Sequence, residues 1–387
     1  MSPAKSPFFF TLHLFYRKDV FLWSLSVDFS EGCAVTKVFR KTKEIIFREK
    51  IVRSRYWLGR RHLDEIISLL KEFVERNSNI KDISFDPNIP PRLHFDPYSQ
   101  NCEEKRKIAH YLLLVASISE GNVIGRAEHA RRLIVNLYNK FGETLFKIDE
   151  PQQFQKEIVN SKFYTEFGQL KHQISHILTS VNKFVVDIAR NNLIEYSQNL
   201  SKPKEMIVEI GKHVIRMGGP IQAKACIYLR WMVRPYPDLK IFENFSPQDL
   251  YVPLTTDILR VASCLGIIEN IEGPFFWEHV EKVTNLARTI FPGDPAKVDY
   301  PFFLVGRWLR GKELNIQTLK DTLVLLDAFY KKTGYSILLT KEKVGFSAEC
   351  PALLGAITQG ETEQEVLKNM EEAIAAYLEA TKSQKEC

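Results

Sequence analysis

The sequence predicts a multidomain α+β chain: a β-rich α/β segment over residues 1–95, an all-α body over 96–332 and a small ββα unit over 333–387. Three observations predict it. Residues 8–53 alternate apolar and polar positions in strand fashion. From Glu103 to about Tyr330 the apolar positions recur at helical spacing. The end of the chain returns to short alternating runs before one last helix.

Composition bounds the answer. The chain has 387 residues, 45% hydrophobic and 26% charged, enough apolar surface to bury a core. No run approaches the ~18 apolar residues of a membrane span. The stretch Pro7-Phe-Phe-Phe is soon broken by His13, Arg17, Lys18 and Asp19, so it lacks the apolar segment of a signal peptide. A cytoplasmic protein with no membrane partner is the expectation. Cys33, Cys102, Cys226, Cys264, Cys350 and Cys387 are scattered, with no Cys-x-x-Cys pair. Free thiols are expected, and no metal or other cofactor.

The elements follow in order. Phe21-Leu-Trp-Ser-Leu-Ser-Val-Asp-Phe reads as a strand, Ser30-Glu-Gly-Cys as a turn and Glu44 to Val52 as a further strand. Leu63, Ile66, Ile67, Leu70 and Val74 mark a helix, and Asp86-Pro-Asn-Ile-Pro-Pro-Arg a linker. In the body, Ile108, Leu112, Val115 and Ile118 form one helical stripe, and Leu133, Leu137 and Phe141 belong to another. Pro and Gly punctuate it down to Gly273-Pro274. At the end, Tyr335-Ser-Ile-Leu-Leu-Thr and Phe346-Ser-Ala-Glu-Cys read as a hairpin. Thr362-x-x-Glu365 is a capping box opening a helix that buries Val366, Met370, Ala373 and Tyr377.

Charge is uneven along this plan. Residues 333–387 hold five lysines and nine glutamates, a net of −4, which leaves +10 on residues 1–332. The densest basic run is Lys37, Arg40, Lys41, Lys43, Arg48, Lys50, Arg53, Arg55, Arg60 and Arg61. Phe39, Phe47, Tyr56 and Trp57 are interleaved with it. Cations there suit nucleic-acid phosphates, whereas the aromatics fit the core of a strand pair better than a stacking platform.

One helical pair carries the main functional signal. Glu205-Met-Ile-Val-Glu-Ile-Gly-Lys-His-Val-Ile-Arg-Met217 precedes Gly218-Gly219-Pro220, and Ile221-Gln-Ala-Lys-Ala-Cys-Ile-Tyr-Leu-Arg-Trp-Met-Val233 follows. Glycines at such a bend let backbone N–H groups approach a phosphate, and the second helix offers its positive end there. Downstream come Leu229-Arg-Trp-Met-Val-Arg234, Ser246-Pro-Gln-Asp-Leu-Tyr-Val-Pro-Leu254, Leu259-Arg-Val-Ala and Phe291-Pro-Gly-Asp-Pro-Ala-Lys-Val-Asp-Tyr300. Together these resemble a widespread family of uncharacterised function, itself similar to the helix-hairpin-helix DNA glycosylases such as endonuclease III and the 8-oxoguanine glycosylases. The resemblance covers roughly residues 100–310.

It implies a base flipped from duplex DNA into a pocket, a lysine attacking the sugar and an aspartate beside the cationic sugar. Lys224 is then the candidate nucleophile and Asp257 the candidate carboxylate. Gly218, Gly219, Lys224, Arg230 and Arg234 are the candidate nucleic-acid contacts. The aspartate expected five residues before Arg260 is replaced by Thr255. A hydroxyl cannot supply the charge, and Asp257 lies about 200° round a helix from that position. Asp257 could substitute only where the helix begins after it. The absence of Cys-x6-Cys-x2-Cys-x5-Cys excludes an iron–sulfur branch. His172 and His176 at i, i+4 lack a third ligand and read as ordinary histidines.

Tyr335-Ser-Ile-Leu-Leu-Thr, Gly345-Phe-Ser-Ala-Glu-Cys-Pro-Ala-Leu-Leu-Gly355 and Thr358-Gln-Gly-Glu-Thr, with the helix to Leu378, closely resemble the HicB antitoxin family. That resemblance implies a reduced ribonuclease-H-like unit that binds a small basic ribonuclease or another copy of itself. The reading as a whole is a DNA-interacting protein that resembles base-excision glycosylases, with Thr255 at the expected aspartate position standing against catalysis, and its partner is duplex DNA, intact or damaged. The alternatives are an antitoxin-like regulator that binds a small basic ribonuclease and a non-catalytic nucleic-acid-binding protein, and a homo-oligomer fits each of them.

Overall fold

The computed structural model describes residues 12–17, 20–25, 60–78, 94–119, 126–161, 164–353 and 355–383. Backbone contacts separate two compact units, Met1–Trp57 and Leu58–Cys387. Within the first, β1 (Leu12–Arg17) and β2 (Val20–Leu25) pair antiparallel, with Leu12 opposite Leu25 and Arg17 opposite Val20. The strand expected over Glu44–Val52, the Ser30 turn and the linker at 86–92 lie outside the described residues. So does the basic run from Lys37, apart from the backbone of 60 and 61.

The second unit is mostly helical. The helix α1 (Arg60–Asn77) buries Ile66, Leu70, Phe73 and Val74, four positions on one stripe. It packs on the body: Arg76 pairs with Asp327 and lies 4.8 Å from the Tyr330 ring centroid, and Lys320 reaches Glu65 at 2.9 Å. The segment read as part of an N-terminal module therefore packs within the compact unit that holds the body.

The body is built around α2 (Cys102–Ile118). Asn101 caps it, its side-chain oxygen accepting from the N–H groups of Glu103 and Glu104. Every residue from Ile108 to Ile118 is buried, so this part of the helix is enclosed on all sides and sits in the core. Around it stand α3 (Arg126–Phe141), α4 (Pro151–Asn160) and α5 (Ile174–Lys183), followed by α6 (Leu193–Gln198), α7 (Pro203–His213) and α8 (Ala223–Val233). The Tyr228 hydroxyl of α8 donates to the Ala109 carbonyl at 3.1 Å, tying α8 to the central helix. The expected stripes hold, except that Phe141 is only half-buried.

The chain continues through α9 (Thr256–Cys264), α10 (Trp277–Ile290), α11 (Asp299–Trp308) and α12 (Ile316–Thr333). At Gly306 a Cβ would stand 2.1 Å from the Asp257 carbonyl oxygen, so α9 and α11 meet backbone to backbone. Only glycine permits that approach.

At the C-terminal end β3 (Leu338–Lys341), β4 (Phe346–Glu349) and β5 (Ile357–Gly360) form an antiparallel sheet in that order. The helix α13 (Glu363–Ser383) then packs on β4 and β5. The unit is therefore βββα, not the expected ββα. The third strand escaped because Ile357-Thr-Gln-Gly carries a single apolar residue, itself 63% exposed; its pairing with β4 fixes it instead. Burial also corrects the stripe of α13. Val366, Leu367, Met370 and Ile374 are buried, whereas Ala373 and Tyr377 are only half-buried. Half of the capping box forms: the Glu365 N–H donates to Thr362 Oγ1 at 3.1 Å, while the Glu365 carboxylate accepts from the Glu361 N–H.

Salt bridges seat this module on the body. Lys312 pairs with Glu363 at 2.8 Å and Lys332 with Glu371 at 2.5 Å. Two of its acidic side chains are thus matched to the basic body within the chain. No described helix is long and apolar enough to cross a membrane.

Candidate nucleic-acid interface

The bend between α7 and α8 lies at the surface: Gly218, Gly219 and Pro220 are all exposed. The two helices are shorter than the sequence suggests, and residues 214–222 connect them. Arg216 (φ 66°) and Gln222 (φ 45°) take left-handed conformations there, which end one helix and delay the next. Pro220 consequently precedes the second helix by three residues instead of opening it. Gly218 is needed for a close approach, since a Cβ on it would stand 2.3 Å from the Gly211 carbonyl oxygen of α7. Gly219 has φ 133° with open space beside it, so its requirement is conformational.

The bend is anchored where the Ile215 N–H donates to Ser180 Oγ of α5 at 3.0 Å. Lys183, Lys212 and Arg216 are exposed on the elements that meet here. The nearby carboxylate of Glu209 accepts from the Tyr196 hydroxyl at 3.1 Å and lies 3.5 Å from His213 Nε2.

Lys224 begins α8 but turns inward. Its ammonium donates to the Ser117 carbonyl at 2.7 Å, at the C-terminal end of α2. A cation is favoured at that end of a helix, where carbonyls lack intrahelical donors.

Asp257 occupies the first turn of α9. Thr255 is the N-cap, with Oγ1 accepting the Ile258 N–H at 3.4 Å. The helix thus begins before Asp257, and the condition for Asp257 to stand in as the expected carboxylate is not met. Asp257 is buried and paired with Arg260. Burial pushes its carboxyl up, against the opposing pull of Arg307, Arg260 and Arg310. Lys224 and Asp257 thus hold different partners on different helices.

Arg230 and Arg234 face inward as well, at 6% and 8% exposure. Arg230 pairs with Asp299 and lies 3.8 Å from Asp238; Arg234 reaches Asp238 and Asp294, each at 2.7 Å. Leu229-Arg-Trp-Met-Val-Arg and Phe291-Pro-Gly-Asp-Pro-Ala-Lys-Val-Asp are therefore two halves of one buried ion network. The sequence contained a signal for it, two aspartates in the second motif, but not the distance between them and the arginines. Cys226, next to this network, has its thiol pushed up by burial and by Asp299, which disfavours the thiolate. His172 and His176 are exposed, and the described residues contain no group of three or more side chains able to hold a metal ion.

Sequence comparison adds two kinds of similarity. A UPF0150 protein of Thermoplasma acidophilum is 43% identical over 53 residues, 13% of this chain and 77% of that protein. One from Synechocystis sp. is 45% identical over 48 residues, 12% of this chain and 61% of that protein. This is the HicB-like similarity, confined to a short stretch. Neither relative's name nor the description of the family carries a glycosylase activity. Over residues 97–307, more than half of its length, the chain matches the family described as protein of unknown function (DUF2400), and it belongs to that family.

Proposed function

We propose that this chain is a nucleic-acid-binding protein that holds duplex DNA at the Gly218–Gly219 bend without glycosylase chemistry. The observation that carries the reading is the exposure of that bend, bordered by Lys183, Lys212 and Arg216 and held by the backbone contact between Gly211 and Gly218. Amide groups and cations together suit a phosphodiester, and such contacts position a protein on DNA without reading its sequence. Against base excision stand the inward-turned Lys224 and the paired, buried Asp257.

Fluorescence anisotropy with a short duplex tests it. Each phosphate contact steepens the fall of log K against log salt by about 0.9, so two or more contacts lower affinity about tenfold or more between 50 and 200 mM salt. Gly219→Val, strained by the positive φ but without a steric clash, weakens binding about fivefold or more while the fold is retained. Salt-independent binding, or full affinity in that variant, removes the reading. Borohydride treatment with lesion-bearing duplexes yields no covalent species. An adduct lost in Lys224→Ala would restore base excision instead.

A second reading follows from the UPF0150 similarity: the βββα module docks a small basic protein such as a toxin-like ribonuclease. Glu361 and Glu372 are exposed and would attract a basic partner. Deleting residues 334–387 abolishes a specific pull-down partner and leaves duplex affinity within twofold. A partner retained by the shortened chain rules this out.

A further inference from the structure

Away from the bend, α9, α11 and the β3–β4 hairpin meet at a second concentration of charge. Asp257 is its buried centre. Arg260 pairs with that carboxylate, and its Nη1 lies 3.5 Å from the Gly306 carbonyl oxygen. The contact between Gly306 and the Asp257 backbone brings the next residue, Arg307, to the same place. Arg310 follows one turn on.

One carboxylate neutralises one guanidinium, so Asp257 and Arg260 cancel, leaving Arg307 and Arg310 in surplus. Neither of these has an ion pair within 4.0 Å among the described residues. The Arg307 Nε is buried and meets no acceptor, while its Cζ sits 5.4 Å from the Phe303 ring centroid. Glu349 of β4 is the other acidic group whose charge reaches Arg307. Lys341 of β3 leans over Gly311, its Nζ 3.2 Å from where a Cβ would stand. Lys312 is excluded, being paired with Glu363.

Among the described residues, the charged groups gathered here are Arg260, Arg307, Arg310 and Lys341 with Asp257 and Glu349, a surplus of two positive charges. The first turn of α9 adds its positive end. Like-charged guanidiniums held together in a half-buried place raise the local free energy, and a bound anion relieves it. Guanidinium forks match the oxygens of a phosphate in bidentate fashion.

We propose that Arg307 and Arg310, with Arg260 fixed beside them by Asp257, form a phosphate-binding site between the helical body and the C-terminal sheet. The ligand is a phosphate group, either of a nucleic-acid backbone or of a free polyphosphate. The site lies on elements other than the α7–α8 bend, so it stands or falls independently of that bend.

Isothermal titration of the full chain with inorganic pyrophosphate tests it. Arg310→Gln, at an exposed position, weakens binding at least tenfold. Lys343→Ala, also exposed, leaves it within twofold. No saturable binding by the unsubstituted chain, or equal binding by Arg310→Gln, overturns the proposal. A duplex titration then separates the sources. If Arg310→Gln also weakens duplex binding and lowers the salt slope by about one, the site grips a phosphodiester. If duplex affinity is unchanged while pyrophosphate binding falls, the ligand is a free polyphosphate.

Discussion

Arg230→Met is expected to destabilise the protein by about 3–5 kcal/mol, the range found when one partner of a buried ion pair is removed. Methionine preserves much of the side chain's volume, so the cost is electrostatic. Asp299 loses its paired guanidinium at 8% exposure, and Asp238 loses the nearby Arg230 while keeping Arg234. A carboxylate left in that position must take up a proton or draw in water. The double variant Arg230→Met/Asp299→Leu is expected to recover a large part of the loss, since a well-packed apolar pair replaces a buried ionic one at little cost. Urea unfolding of both variants measures the difference. A loss below about 1 kcal/mol for Arg230→Met would show the network to be effectively solvated.

The second large effect is a dependence on pH. His110 lies in the central helix, buried, with its ring stacked on Phe146 at a centroid distance of 4.7 Å. Asn182 Nδ2 donates to the carbonyls of Leu145 (2.8 Å) and Ile148 (2.7 Å). Its Oδ1 is therefore the acceptor, and His110 Nε2–H donates to it at 2.8 Å. That bond favours the charged form, but burial outweighs it and pushes the imidazole down to about 4.

The unfolded chain titrates near about 6.5, so below that pH the unfolded state binds a proton that the folded state refuses. The histidine has no such effect above about pH 7. Between about 6.5 and 4 it removes stability by up to 1.4 kcal/mol per pH unit, about 3 kcal/mol in all, and the loss levels off below 4. Unfolding free energies at pH 7.5 and 4.5 are compared for the unsubstituted chain and His110→Gln. The variant is expected to lose that part of the pH dependence whatever its own baseline stability. Equal slopes would mean that the ring is protonated in the fold.

These two residues mark different degrees of legibility. The stripe around His110 could be read directly, because Ile108, Leu112, Val115 and Ile118 recur at the helical period and the period is a local property. Its tautomer could not, because that depends on Asn182, far along the chain. The motif Leu229-Arg-Trp-Met-Val-Arg234, downstream of the glycine bend, makes Arg230 and Arg234 candidate phosphate ligands through its family resemblance. They are internal because Asp238, Asp294 and Asp299 fold against them. Asp257 was recognisable as a residue of consequence, yet its surroundings include Arg307 and Arg310 only through the contact at Gly306.

By itself the sequence determined the helical character of the body, the cap at Thr362 and the apolar stripe of the central helix. These follow from backbone propensity and hydrophobic period, which act over a few residues. Only the tertiary structure decided which charges are exposed and which are matched inside, and that Ile357–Gly360 is a strand at all. Ion pairs, burial and strand pairing depend on distances in space between residues far apart along the chain, and a linear pattern does not contain those distances.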